Sequence, residues 1–200
     1  MTFANNISTE EVLKMPREVF SGRIVVVNAM ESLSTALTYL SSCQSIGFDT
    51  ETRPNFTKDS HNKMSLMQLS CDDTCFLIRL NKFKKMPHIL EAFLKNPIVT
   101  KIGLSLRDDF HGLRSLTNIS PDSFIDLQTY VKQFGIEEMS LRKIYAILFG
   151  KRISKSQQKS NWDAEYLTES QKRYAALDAW SCLRIYQYLD IHNETLQHIS

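Results

Sequence analysis

Long hydrophobic runs are missing from this chain. No stretch of its 200 residues approaches the ~20 consecutive apolar residues of a membrane-spanning helix. The first sixteen residues carry Glu10 and Glu11 and lack the basic start and apolar middle of a secretory leader, so none is expected. Cysteine is scarce: Cys43, Cys71, Cys75 and Cys182 lie in apolar or turn contexts. Cys71 and Cys75 flank Asp72-Asp73-Thr74, but the second ligand pair of a zinc site is missing and a hairpin turn explains the spacing. Reduced thiols and a cytoplasmic location are the expectation. A glycine-rich turn is absent after the first apolar strand, where Val27 is followed by Asn28-Ala29-Met30-Glu31, and this argues against a dinucleotide-binding Rossmann unit. Repeats, low-complexity tracts and linkers are also missing. The reading is therefore one domain over residues 1–200, with a core over about 20–190.

Charge of one sign is lacking too. Lysine and arginine number 24 against 22 acidic residues, a formal net charge of +2. The cations do cluster, at Lys82-Lys84-Lys85, at Arg142-Lys143 and from Lys151-Arg152 through Lys155 to Lys159. Such clusters are ordinary solvated faces, and they also suit phosphate contacts near a nucleic-acid site.

What is present is an alternation of strand and helix patterns. A short helix and a loop over residues 1–22 lead to the β-branched strand Ile24–Val27. Met30, Leu33, Leu37 and Leu40 have helical spacing, and Ser45–Thr50 reads as a second strand. Ser65–Ser70 and Cys75–Leu80 flank the turn as a hairpin. Met86–Leu94 reads as helix, 98–102 as strand and Ser105–Leu116 as helix, and Phe124–Asp126 as a short extended piece. From Leu127 onward the pattern is almost wholly helical, ending in a helix from about Thr168 to Ile191. Early strands followed by alternation predict an α/β domain with a mixed sheet flanked by helices.

Three local patterns carry chemistry. In Gly47-Phe48-Asp49-Thr50-Glu51-Thr52-Arg53-Pro54, Asp49 and Glu51 stand at i and i+2 where an apolar strand ends, so they leave it on one face. No basic neighbour lies between them, and the pair repels itself unless a cation intervenes. Hard oxygen ligands suit Mg²⁺ or Mn²⁺. In the helix around Asp108-Asp109, Leu106, Phe110, Leu113 and Thr117 form the buried stripe. Asp109 borders that stripe, about 100° from Phe110, whereas Asp108 lies about 200° away and faces solvent, as His111 does. In the last helix Tyr174 and Asp178 are i and i+4, beside a core stripe of Ala175, Ala179, Cys182, Tyr186 and Leu189. Taken singly, each pattern also reads as a strand end, a surface charge or plain packing.

Together and in this order, the chain resembles the DEDDy 3′–5′ exonucleases, the group of ribonuclease D and the Werner exonuclease domain. Leu66-Met67-Gln68-Leu69, Lys101-Ile102-Gly103, Asp126-Leu127, Leu141–Leu148, Lys159-Ser160-Asn161-Trp162 and Leu167-Thr168 through Gln171 to Ala179 support it in order. The resemblance covers roughly residues 20–190. It implies a ribonuclease-H-like fold with a five-stranded mixed sheet between helices. It implies that Asp49, Glu51, Asp109 and Asp178 hold two divalent ions, Mg²⁺ or Mn²⁺, with Asp49 bridging and Asp109 acting through water. Tyr174 would orient the attacking water, and single-stranded or 3′-recessed DNA or RNA would release nucleoside 5′-monophosphates. Lys155, Lys159 and Phe56 are further candidates for nucleic-acid contacts, His61 shares the loop of Phe56, and Trp162 packs beneath the basic loop. The nucleic-acid-binding domains that follow the nuclease in ribonuclease D have no counterpart before residue 200, so affinity is expected from this domain, an oligomer or a partner. The rival reading is an inactive nucleic-acid- or protein-binding module of the same fold, which the loss of a carboxylate would favour; none is lost.

Overall fold

Strand β1 (Arg23–Val27) is a β-branched run, and its partner β4 (Thr74–Arg79) lies parallel to it, with Val25 opposite Phe76. The computed structural model describes residues 3–52, 64–118 and 120–197. Strand β3 (Met64–Ser70) runs antiparallel to β4 across the expected hairpin, closed by the Cys71 N–H donating to the Thr74 carbonyl at 2.9 Å. On its other side β3 pairs antiparallel with β2 (Ser45–Thr52), placing Asp49 opposite Gln68 and Glu51 opposite Leu66, with an irregularity between Glu51 and Thr52. Parallel strands β5 (Thr100–Gly103) and β6 (Phe124–Asp126) complete the order β1-β4-β3-β2-β5-β6.

The mixed sheet between helices is therefore as expected, but with six strands rather than five. The sixth is the short extended piece Phe124–Asp126, which gains its strand character from pairing with Lys101, Ile102 and Gly103. Strand β5 starts later than the apolar run suggested. The Asn96 side-chain oxygen accepts from the Ile98 N–H at 2.9 Å, and pairing begins where the Thr100 N–H meets the Gln44 carbonyl.

Helices cover both faces. Helices α2 (Met30–Leu40), α3 (His88–Leu94) and α4 (Leu106–Leu116) bury Leu33, Leu90 and Leu113 against Phe48, Met67 and Leu69 of the sheet. On the other face α6 (Leu141–Phe149) and α7 (Glu169–Gln197) bury Ile144, Tyr145, Ala175 and Ile185 against Leu66, Leu77 and Ile102. Each such large apolar side chain contributes roughly 1.5–3 kcal/mol when taken fully from water. Helices α1 (Thr9–Lys14) and α5 (Leu127–Tyr130) are shorter. Cys71 joins the first core and Cys75 the second, so the two thiols turn to opposite faces and form no clip. Residues 151–168 are not helical as the pattern beyond Leu127 suggested; Gly150, at φ 63°, ends α6 in a left-handed conformation.

Alternation along β2 fixes what lies on each face. Ile46 and Phe48 enter the core under α2–α4, while Gly47 shares its face with Asp49 and Glu51 and turns to α7. A Cβ on Gly47 would stand 1.8 Å from the Ala179 carbonyl oxygen. Glycine is thus what lets α7 lie against β2, one residue from Asp178.

Candidate active site

Asp49, Glu51 and Asp178 each offer a carboxylate oxygen within 4.8 Å of the others. The first two come from the end of β2, and the third from α7 where Gly47 lets it close. Their titration reflects crowding away from water. The Asp49 carboxyl is held well above its ordinary range by burial, then by the charges of Asp178, Glu51 and Asp109. Glu51 is pushed to about 9 by burial and by Asp178 and Asp109. Asp178 rises to about 7 through burial, against the opposing pull of the Tyr174 hydrogen bond and the Lys155 charge. The three groups repel one another, and among the described residues only Lys155 brings a counter-charge to Asp178.

Asp109 is near these groups but does not join their cluster. It is partly buried on α4, and its carboxylate accepts from the Thr50 hydroxyl, which leaves β2 between the two acids on the opposite face. Burial raises its carboxyl to about 6 despite that bond. Asp108 is exposed and His111 is exposed, as the stripe predicted. The start of α4 is pinned by Asp126, whose two carboxylate oxygens accept from the Ser105 and Leu106 N–H groups at 3.0 and 2.9 Å. Ser105 adopts a left-handed φ of 61°, unusual for serine, and the Asp126 bonds hold it there.

Tyr174 donates its phenolic hydrogen to Asp178, and burial beside Asp178 and Glu51 raises its pKa. Its ring lies 6.0 Å from that of Trp162, which is fully buried beneath the preceding loop as expected. That loop is fastened on both sides. The Gln171 side-chain amide donates to the Asn161 carbonyl at 3.1 Å, and the Arg79 guanidinium donates to the Ala164 carbonyl. Thr168 and Gln171 form a reciprocal cap, with Gln171 N–H to the Thr168 hydroxyl at 3.2 Å and Thr168 N–H to the Gln171 side chain at 3.0 Å, so α7 starts in a fixed place.

The carboxylates and Tyr174 open into a cleft of about 370 Å³, lined also by Thr50, Arg142, Ser154, Lys155 and Gln158. Lys155 is thus at the site. Lys159 is exposed and is not among the lining residues. Phe56 and His61 lie outside the described residues. Sequence reasoning gave no role to Gly47, Thr50 or Arg142. Alternation marks the first two, since a glycine two residues before the acid and a threonine between the acids occupy defined faces. Arg142 had no signal beyond its place in a basic pair.

Comparison with known proteins gives the family. Residues 24–192 match the family model for the 3′–5′ exonuclease domain. The mouse bifunctional 3′–5′ exonuclease/ATP-dependent helicase WRN is 31% identical over 163 residues, covering 79% of this chain and 12% of that protein. The exonuclease mut-7 homolog of Aedes aegypti is 28% identical over 198 residues, covering 87% of this chain and 27% of that protein. The chain therefore spans a minor part of these relatives. Among solved structures, the Aedes aegypti Nibbler EXO domain superposes with a TM-score of 0.77 at 26% identity, covering 92% of this chain and 94% of that one. Escherichia coli RNase D shares the fold, with a TM-score of 0.77 at 24% identity over 86% of this chain and 46% of that one. With most of its length matched by the family model and the acidic cleft at the end of β2, this chain belongs to the 3′–5′ exonuclease family.

Proposed function

We propose that this chain hydrolyses phosphodiester bonds of DNA or RNA from the 3′ end with the help of divalent cations, releasing nucleoside 5′-monophosphates. The convergence of Asp49, Glu51 and Asp178 within 4.8 Å carries the reading. The donor set fits Mg²⁺ or Mn²⁺: the oxygens are hard, and their pKa values are raised by burial and, for Asp49 and Glu51, by the neighbouring carboxylates, both of which a dication offsets. Asp49, Glu51 and Asp178 would hold the ions, with Asp109 in support. Bound dications supply a water of lowered pKa and oppose the charge that develops on the departing oxygen.

The remaining work falls to the protein's own groups. Tyr174 commits its hydrogen to Asp178, which leaves the phenolic oxygen free to accept from a water and hold it in line with the phosphorus. Its raised pKa keeps it protonated at neutral pH, so it positions and does not act as the base. Arg142 and Lys155 line the same cleft and counter the charge on the phosphate oxygens. Thr50 fixes the Asp109 carboxylate, so the site keeps its shape as substrate enters.

The test uses matched 5′-labelled DNA and RNA oligonucleotides with Mg²⁺, Mn²⁺ or EDTA, and Asp178→Ala as control. The expected result is a metal-dependent ladder shortening from the 3′ end, absent in the variant, on one polymer or both. Folded protein that cleaves neither polymer with either metal would leave a binding module as the better account.

A further inference from the structure

All four cysteines are free, and the fold sorts them into two pairs of different character. Cys75 and Cys182 lie in the core under α6 and α7, each fully buried, and burial holds both thiols up, that of Cys75 at about 12. Cys43 and Cys71 pack in the other core, and there they meet. Their Sγ atoms stand 2.6 Å apart although the residues are 28 positions apart in the chain. Unbonded heavy atoms rest at roughly 3.5–4 Å. A disulfide of about 2.05 Å needs only about half an ångström of further approach. Cys71 is buried, 6% exposed, whereas Cys43 is half-buried and open to small reagents.

Backbone bonds hold both sulfurs in place. Cys43 follows α2, and its N–H donates to the Leu40 carbonyl at 3.1 Å. Cys71 ends β3, where its N–H donates to the Thr74 carbonyl and its own carbonyl accepts from the Ser70 hydroxyl, both at 2.9 Å. The Tyr39 hydroxyl donates to Asp73 at 3.0 Å and ties α2 to the same turn. The pair therefore sits at the end of the β2–β3 ladder where Gly47 faces Ser70, away from the end that carries Asp49 and Glu51. A bond between the two sulfurs would close a loop that contains both strands and both of those acids.

We propose that Cys43 and Cys71 are a modification site, closing a reversible disulfide when a small-molecule disulfide is present as oxidant. The Cys43 thiolate attacks one sulfur of the small disulfide, whose S–S bond breaks as the mixed disulfide forms. One small thiolate leaves and takes up, through water, the proton that Cys43 gave up. The Cys71 sulfur then attacks the Cys43 sulfur, the mixed bond breaks, and the Cys71 proton goes to the second departing thiolate. The protein loses two electrons and two protons, and the small disulfide becomes two thiols. Cys71 is the buried partner, so the departing thiol leaves from the exposed side of Cys43. The product is a latch that keeps β2 and β3 together, and it raises stability by restricting the unfolded chain. Cys75 and Cys182, enclosed in the other core, take no part. The proposal is independent of the exonuclease reading.

The test uses the full chain, first reduced, then freed of reductant and held in EDTA with oxidised glutathione. The denatured protein should be lighter by two hydrogen atoms, with no glutathione retained. Its free thiols should fall from the four of the reduced chain to half that number, and a peptide map should join Cys43 to Cys71. The melting temperature should rise by about 5–10 °C and return when dithiothreitol is added. Cys43→Ala should keep its remaining thiols under the same treatment and show no shift. If that variant fails to fold, the peptide map of the parent decides alone. Glutathione retained on Cys43 without closure, a bond to Cys75 or Cys182, a bond between two chains, or an unchanged thiol count would each overturn the proposal. A closed Cys43–Cys71 bond with an unchanged melting temperature would overturn the latch.

Discussion

Two groups of acids sit at opposite ends of the same strands and are treated in opposite ways. At the β3–β4 turn, Asp73 accepts from the Tyr39 hydroxyl and from the Thr74 hydroxyl, both at 3.0 Å, and these bonds lower its pKa. Asp72 accepts from the Gln187 side-chain amide at 2.8 Å, and its carbonyl from the Trp180 indole at 3.0 Å. At the far end of β2, Asp49, Glu51 and Asp178 face one another, and their pKa values rise. The turn acids are matched with donors and hold the hairpin to α7 and α2. The cleft acids are brought together by Gly47, and among the described residues Lys155 is the counter-charge beside them. Among the described residues the fold matches one set with donors and crowds the other, which keeps repulsion where a cation can use it.

The largest way to break this contrast is to neutralise the cleft. Asp49→Asn should reduce metal-dependent cleavage at least about a thousandfold. It should also leave the metal-free melting temperature equal or higher, because it removes repulsion and no donor. A clearly lowered melting temperature without metal would make Asp49 a structural residue like Asp73. Next is Gly47→Ala, where the new methyl meets the Ala179 carbonyl at 1.8 Å. Overpacking of this kind costs about 3 kcal/mol, read from the urea midpoint. Activity should fall with it, since α7 must withdraw and take Asp178 along. Tyr174→Phe is milder. The ring still packs on Trp162, and the loss of its hydroxyl should lower kcat by about 10- to 100-fold with little change in stability.

The fold was legible wherever one period dominated. Alternation at Ile46, Gly47, Phe48 and Asp49 located β2 and the face of its acids, and the stripe Leu106, Phe110 and Leu113 sorted Asp109 from Asp108. Legibility failed where tertiary pairing decides. Phe124–Asp126 is too short to declare itself, and it is a strand because β5 lies beside it. The loop over 151–168 contains enough helix formers to read as helical, yet Gly150, the Arg79 bonds and the buried Trp162 fix it as a loop. In the site, the order of acids was visible in the residues. The hold of Thr50 on Asp109 and of Asp126 on Ser105 depends on distances that no spacing rule contains.

The pH dependence of stability gives a smaller but sharper version of the contrast. Glu51 and Asp178 ionise near 9 and 7 in the fold, above their unfolded values. The unfolded chain therefore gives up these protons first, and the metal-free protein should lose stability as pH rises from about 4 through 9. Saturating Mg²⁺ should remove that limb, as should Glu51→Gln in part. The melting temperature across this range measures it, and a flat metal-free profile would mean that neither burial nor mutual repulsion raises these carboxyls.

The smallest effect is expected at the turn, with the opposite sign. Asp73 has a lowered pKa because Thr74 and Tyr39 donate to its charged form. Its contribution is present above the unfolded value near 4 and is lost as pH falls through the lower folded value. Asp73→Asn should therefore trim stability slightly at neutral pH, flatten only the acid limb and leave cleavage unchanged. If it flattened the alkaline limb instead, the separation of roles between the two ends would fail. Salt sharpens the test: Asp73 is exposed, so its effect should fade as ionic strength rises, whereas the repulsion inside the cleft should persist.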